Sequence, residues 1–310
     1  MLRKNIEEVI KVKEKTKKAL IITALSLVLV GLVLYIAAEL GAFKKGDKLQ
    51  GIRKELTAVE LTRLMGNGIN LGNTMEAYGH ASLGTNAAVS SYETLWGQPV
   101  TTQEMITAMK KSGFDTIRIP VAWTNTMNFE SGDYTIREDW FARIEEIVGY
   151  AMNENMYVIV NDHWDGSWWG MFGSATAKTR QKAMDMYISM WTQIAERFKN
   201  YSDYLIFESA NEELGDRLND QDIAKDSGTL STNECYEITN KINQTFVDTV
   251  RATGGNNSQR FLLIAGYGTD IKTTCDDRYV MPSDSAQNKL LVSVHYYEPF
   301  SYLSLIHISE

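Results

Sequence analysis

The chain has 310 residues, of which 44% are hydrophobic and 23% charged, a globular composition long enough for one large barrel domain or two smaller ones. Its formal net charge of −8 is unevenly spread: residues 1–18 carry seven basic side chains against three acidic ones, a net of +4, which leaves −12 for the remainder. An acidic body of this kind argues against a nucleic-acid surface and is compatible with a neutral substrate.

After the basic segment 1–18, Ala19 to Ala38 reads ALIITALSLVLVGLVLYIAA, without one charged residue. At a rise of about 1.5 Å per residue it is long enough to span a hydrocarbon core of about 30 Å. The apolar region of a cleaved signal peptide is shorter, roughly 7–15 residues, and is followed by a small-residue cleavage site that is missing here. The stretch therefore predicts a transmembrane signal anchor over 19–40. Its lysine-rich flank places 1–18 in the cytoplasm and the body outside the cell membrane; secretion after cleavage is the alternative. Residues 41–50 read as a polar linker.

From Gly51 onward short apolar runs alternate with longer helical stretches. A helix over Thr57–Met65 precedes six strand candidates: Gly68–Leu71, Thr116–Ile119, Tyr157–Val160, Leu205–Phe207, Phe261–Ala265 and Leu290–Val294. Helices are predicted between them at Gln103–Ser112, Trp140–Asn153, Ala177–Lys199 and Cys235–Thr253. This βαβα alternation predicts a parallel sheet with helical crossovers. Doubly wound sheets share the alternation but often carry a glycine-rich phosphate loop, and no GxGxxG or GxxxxGK occurs. Polar and aromatic residues gather just after five of the strands, at Asn70–Glu76, Arg118–Trp123, Asn161–Trp169, Asn211–Glu213 and His295–Tyr297. Five converging strand ends suit an α/β TIM barrel with one shared mouth.

The segment Leu205 to Glu213, LIFESANEE, is a strand that stops on Asn211-Glu212. There an amide can hold a substrate hydroxyl while the carboxyl group moves a proton at the neighbouring oxygen; a plain polar turn is the alternative. His163 and His295 also fall at strand ends. With four histidines and no CxxC or HExxH spacing, neither a metal nor a cofactor is expected. Cys235 and Cys275 allow one disulfide in an extracellular body, on weak grounds.

Five blocks in series resemble glycoside hydrolase family 5, the cellulase family: GINLGNTMEA (68–77), FDTIRIPVAW (114–123), MYVIVNDHWDGSWW (156–169), LIFESANEE (205–213) and VSVHYYEPF (292–300). VDTVRATGGNN (247–257) resembles a helix-to-strand link of its bacterial endoglucanases. The resemblance implies a barrel body over 51–302 that hydrolyses β-linked polysaccharide with retention, using two carboxyl groups about 5–5.5 Å apart. It makes Glu212 the general acid/base, with a raised pKa, and Asn211 its neighbour on the sugar 2-hydroxyl. It places Arg118 beneath the site against the nucleophile carboxylate, and His163, His295 and Tyr297 along the subsite of cleavage. Asn73 and Glu76 are candidates for a minus-side subsite. The tryptophans near His163, chiefly Trp168 and Trp169 beside Trp164, are expected to form a sugar-stacking platform, with helix packing as the alternative.

Two features depart from the family pattern. Glu213 stands where the family usually has Pro, which is expected to shift the turn or perturb Glu212. The family's nucleophile, a Glu on the seventh strand in a Gly-Glu-aromatic-Gly setting, has no counterpart, so about six of eight strands are expected. The last residues, Leu303 to Glu310, LSLIHISE, resemble the forward translation of a sequencing-library transposon adapter. The expectation is a fragment with native sequence to about Tyr302 and a non-native tail over 303–310, inactive for want of half the catalytic pair. The predicted function is an endo-β-1,4-glucanase acting on cellulose or a related β-glucan. A mannanase or xyloglucanase of the same family, or a non-catalytic surface carbohydrate-binding barrel, is the alternative.

Overall fold

The computed structural model describes residues 51–166 and 168–297. The basic segment 1–18, the anchor over 19–40, the linker 41–50 and the tail 303–310 lie outside the described residues. Among the described residues no helix is long and apolar enough to cross a membrane.

The body opens with helix α1 (Ala58–Met65), fixed at its start by a reciprocal capping box. Glu60 accepts the backbone N–H of Thr57 at 2.9 Å, and Thr57 Oγ1 accepts that of Glu60 at 3.3 Å. Strand β1 (Gly68–Asn70) follows, then the short helices α2 (His80–Leu83) and α3 (Val89–Glu93) and the crossover helix α4 (Gln103–Lys111). The remaining units are β2 (Thr116–Ile119), α5 (Glu138–Asn153), β3 (Tyr157–Asn161), α6 (Ala177–Phe198), β4 (Leu205–Glu208), α7 (Thr232–Ala252), β5 (Leu262–Ala265), α8 (Ile271–Thr274) and β6 (Leu290–Ser293). The two cysteines are unbonded, Cys235 buried on α7 and Cys275 exposed.

All six strands are parallel, and their order across the sheet is their order in the sequence. A doubly wound sheet reverses direction at a switch point; this one never does. It is wound one way, as a barrel wall is, with β1 and β6 at the two edges of the described arc. The register aligns Asn70, Arg118, Ile159 and Ile206 as lateral neighbours. Side chains alternate along each strand, so Ile117, Ile119, Val158, Val160 and Phe207 turn outward beneath the helices. Trp191 of α6 meets Phe207 with ring centres 5.8 Å apart, and meets Phe246 of α7 edge-on at 4.6 Å.

Helix α1 closes the N-terminal end of the strands. Its Leu61 is fully buried in one cluster with Tyr157, Ile159, Ile206 and Phe261. Around this plug, Arg53 pairs with Asp203 at 3.0 Å and stands 5.1 Å from the ring centre of Tyr204. Arg260, fully buried, donates to the carbonyls of Phe198, Tyr201, Ser202 and Leu205 and to Oδ1 of Asn257. That arrangement leaves the other end of the strands as the open one.

Candidate active site

At the C-terminal end of the strands the inward positions change from apolar to ionisable. Arg118 follows Thr116 on the inner face of β2, and Glu208 follows Ile206 on that of β4. Arg118 Nε donates to Glu208 Oε2 at 2.6 Å, and its Nη2 donates to Asn211 Oδ1 at 3.0 Å. Ser293 at the end of β6 donates to the other oxygen of Glu208 at 2.6 Å. Glu208 is thus buried, with each of its oxygens bonded to a side chain of the site. Its place on the inner face of LIFE is the signal that sequence reasoning passed over. Arg118 was expected to reach the nucleophile; among the described residues its carboxylate partner is Glu208.

His163, just past β3, lies 3.4 Å through Nδ1 from both Arg118 Nη1 and Asn161 Nδ2. Burial, helped by the charge of Arg118, pushes its pKa down to about 3. The ring is therefore neutral at ordinary pH, with Nδ1 accepting and the proton on Nε2.

Asn211 and Glu212 follow directly on β4. With Oδ1 of Asn211 held by Arg118, its amide NH2 is the side left for a ligand. Glu212 Oε1 accepts from His295 Nδ1 and from the Tyr297 hydroxyl, both at 2.6 Å. The His295 bond is the main reason its pKa falls to about 2, with the Tyr297 bond adding to it against partial burial. In return Glu212 pushes Tyr297 up to about 12. This corrects the expectation of a raised Glu212: its neighbours here are donors, not a second anion. The raised carboxyl is the next residue. Glu213, 4% exposed, is pushed up to about 7 chiefly by burial.

These side chains line a cleft of about 580 Å³, whose walls include Glu76, Arg118, His163, Trp164, Asn211, Glu212, His295 and Tyr297. Two further hollows adjoin it. One of about 370 Å³ shares Trp164, and one of about 490 Å³ shares His295, Tyr296 and Tyr297. Trp164 joins the first hollow to the cleft, and His295, Tyr296 and Tyr297 join the second.

Not every candidate faces the cleft. Glu76 lines it, but its two oxygens accept the backbone N–H groups of Asn73 and Thr74, at 2.5 and 2.9 Å, and tie the turn after β1. Asn73 is exposed on that turn, in the left-handed region at φ 61°. Trp168 and Trp169 are 0% and 2% exposed and stack on one another with ring centres 4.4 Å apart. Both pack on Phe172 and Tyr187 as interior side chains; Trp169 also borders the hollow of about 370 Å³, but neither indole offers an open face for stacking. The free indole face belongs to Trp164, 50% exposed, with the Arg217 guanidinium 5.2 Å from its ring centre.

A family model, Cellulase (glycosyl hydrolase family 5), matches residues 79–305. The chain is 36% identical over 249 residues to a xyloglucan-specific endo-beta-1,4-glucanase of Bacteroides ovatus, covering 80% of this chain and 46% of that protein. It is 37% identical over 260 residues to endoglucanase A of Paenibacillus barcinonensis, covering 80% and 60%. It thus spans about half the length of the curated relatives it matches. A broad-specificity endoglucanase of Ruminococcus champanellensis, solved with bound cellotriose, superposes with a TM-score of 0.68 at 36% identity, covering 80% of this chain and 68% of that one. The family fold is a TIM barrel, and the six parallel strands described here are an arc of its wall. With family model, relatives and strand-end site in agreement, the chain belongs to glycoside hydrolase family 5.

Proposed function

We propose that the chain is the body of a retaining endo-β-1,4-glucanase in which Glu212 is the general acid/base. The observation that carries the reading is the Asn211–Glu212 pair at the end of β4, in a cleft contiguous with two further hollows. Contiguous hollows beside the pair give room for more than one sugar ring of a polymer. The fixed amide of Asn211 suits the hydroxyl beside the scissile bond, and Glu212 reaches the glycosidic oxygen. The 2.6 Å contact with His295 gives a proton a short path to Glu212. A sugar that excludes water from Glu212 disfavours its charged form and draws its pKa upward, as the acid step needs. The second carboxylate of a retaining pair belongs to a strand beyond those described.

The names of the relatives, among them endoglucanases, a xyloglucan-specific glucanase and a lichenase, support a β-glucan substrate and leave a xyloglucan preference as the second reading. The test is calorimetric titration with cellotriose and, in parallel, the α-linked maltotriose. Saturable binding of the first alone is expected; a folded chain that ignores both, or takes both alike, sinks the proposal. The apolar stretch 19–38 behind a basic segment supports a membrane-anchored body outside the cell. Retention of the chain in the membrane pellet after alkaline carbonate extraction checks this, and release into the supernatant refutes it.

A further inference from the structure

Glu213 takes no part in the chemistry above, yet it is a buried carboxyl group one residue from the acid/base. Burying such a group is costly unless it is hydrogen-bonded. Its two oxygens serve different loops. Oε1 accepts the backbone N–H of Trp164 at 3.1 Å, in the segment after β3. Oε2 accepts the backbone N–H of Asn211 at 2.8 Å, in the segment after β4. One side chain therefore ties two neighbouring strand ends at the two residues that present an aromatic face and an amide to the groove.

Both residues need such a hold. Trp164 sits at φ 50°, a left-handed conformation that a bulky residue rarely adopts unaided. Asn211 is fixed through its side-chain oxygen by Arg118, and among the described residues its backbone N–H is fixed by the bond to Glu213 alone. The ionisable groups around Glu213 are Asp162 and Asp165 on the β3 side and Arg217 on the β4 side. A proline at position 213, which the family pattern would place there, has no acceptor to offer either loop.

We propose that Glu213 is a positioning residue whose single carboxyl group clamps the loop after β3 to the loop after β4, setting where the Trp164 indole and the Asn211 amide stand in the groove. The consequence for sugar rests on the glucan-binding role proposed above; the clamp itself does not.

The experiment compares the full chain with Glu213→Gln, which keeps the volume but has one acceptor oxygen, and with Glu213→Ala. Each is also made in an Asn211→Ala background. Three quantities are read: amide hydrogen exchange at Trp164 and Asn211 by NMR, thermal midpoint, and cellotriose affinity. Expected are exchange at least about tenfold faster at one amide in Gln and at both in Ala, and cellotriose binding weakened roughly tenfold, the scale of one net hydrogen bond. The Gln midpoint should stay within a few degrees, and in the Asn211→Ala background the same substitution should weaken affinity only by the smaller, severalfold share that Trp164 carries. Unchanged exchange with a lowered midpoint, or an affinity loss equally large without Asn211, overturns the proposal. If the parent chain binds no cellotriose, the glucan reading falls alone: faster exchange in Gln still supports the clamp and unchanged exchange still refutes it.

Discussion

The two ends of the sheet handle buried charge in opposite ways. At the N-terminal end, Arg260 spends its donors on four backbone carbonyls and one amide oxygen, and Lys289 donates to the carbonyls of Arg53 and Leu56. Backbone acceptors do not titrate or move, so that end is a fixed seal. At the C-terminal end, Arg118 bonds only side chains, those of Glu208 and Asn211 with His163 nearby, and each of them lines the cleft. Oδ1 of Asn161 there is buried with no hydrogen-bond partner. A buried arginine is thus a structural or a functional element according to what it bonds, and burial alone does not tell which.

The contrast breaks most easily at the seal. Arg260→Met leaves its carbonyl partners without donors and should cost about 3–5 kcal/mol in urea unfolding. Whatever remains folded should keep its cellotriose affinity. A loss below about 1 kcal/mol would show that the seal is no seal.

The mirror experiment is Asn211→Ala. It should weaken cellotriose binding about tenfold or more while costing stability only on the order of 1 kcal/mol. Equal losses of both would erase the distinction between the two ends.

Acidity sharpens the comparison, because the mouth titrates. Glu212, with its pKa lowered to about 2, stabilises the fold above the ordinary carboxyl value of about 4.3 and loses that contribution as pH falls toward 2. The midpoint deficit of Glu212→Gln should therefore vanish over that interval. Glu213, raised to about 7, has the opposite sign: its contribution is fullest below about 4.3 and is lost as pH rises through 7. The midpoint of Glu213→Gln, measured against the parent, should climb between about pH 5 and pH 8. His163, lowered to about 3, stabilises above about 6.5 and adds to acid loss below it. Parallel curves for both carboxyl variants would contradict these assignments.

The smallest effect on stability lies at the surface of the mouth. Trp164→Ala should cost less than about 0.5 kcal/mol of folding and weaken cellotriose binding severalfold. Trp169→Ala, five residues on in the interior, should cost about 3–5 kcal/mol. Similar stability losses for the two would mean that the Trp164 face is part of the core.

Much of this was legible because strand periodicity and strand-end chemistry are local. Thr116–Ile119 was read with its observed limits, and the other five strands were misplaced by no more than a residue at either end. The abrupt end of one apolar run singles out Asn211 and Glu212, and the family resemblance points to Arg118, His163, His295 and Tyr297; all six line the cleft. What failed depends on where a side chain points. Three tryptophans in six residues gave no sign that Trp164 turns outward at positive φ while Trp168 and Trp169 turn in. Likewise Glu213 read as a disturbance of Glu212, since its two backbone partners lie on separate loops that only the parallel register brings together.

That each strand pairs with the one made just before it also bears on how the chain is born. Paired residues are separated by only 28 positions for Leu262 and Leu290, and by 55 for Phe207 and Leu262. A strand leaving the ribosome finds its template already complete, and translation can lay down the wall one βα unit at a time. The latest strand is always the open edge, so during synthesis the vulnerable surface travels with the growing end instead of persisting at one place.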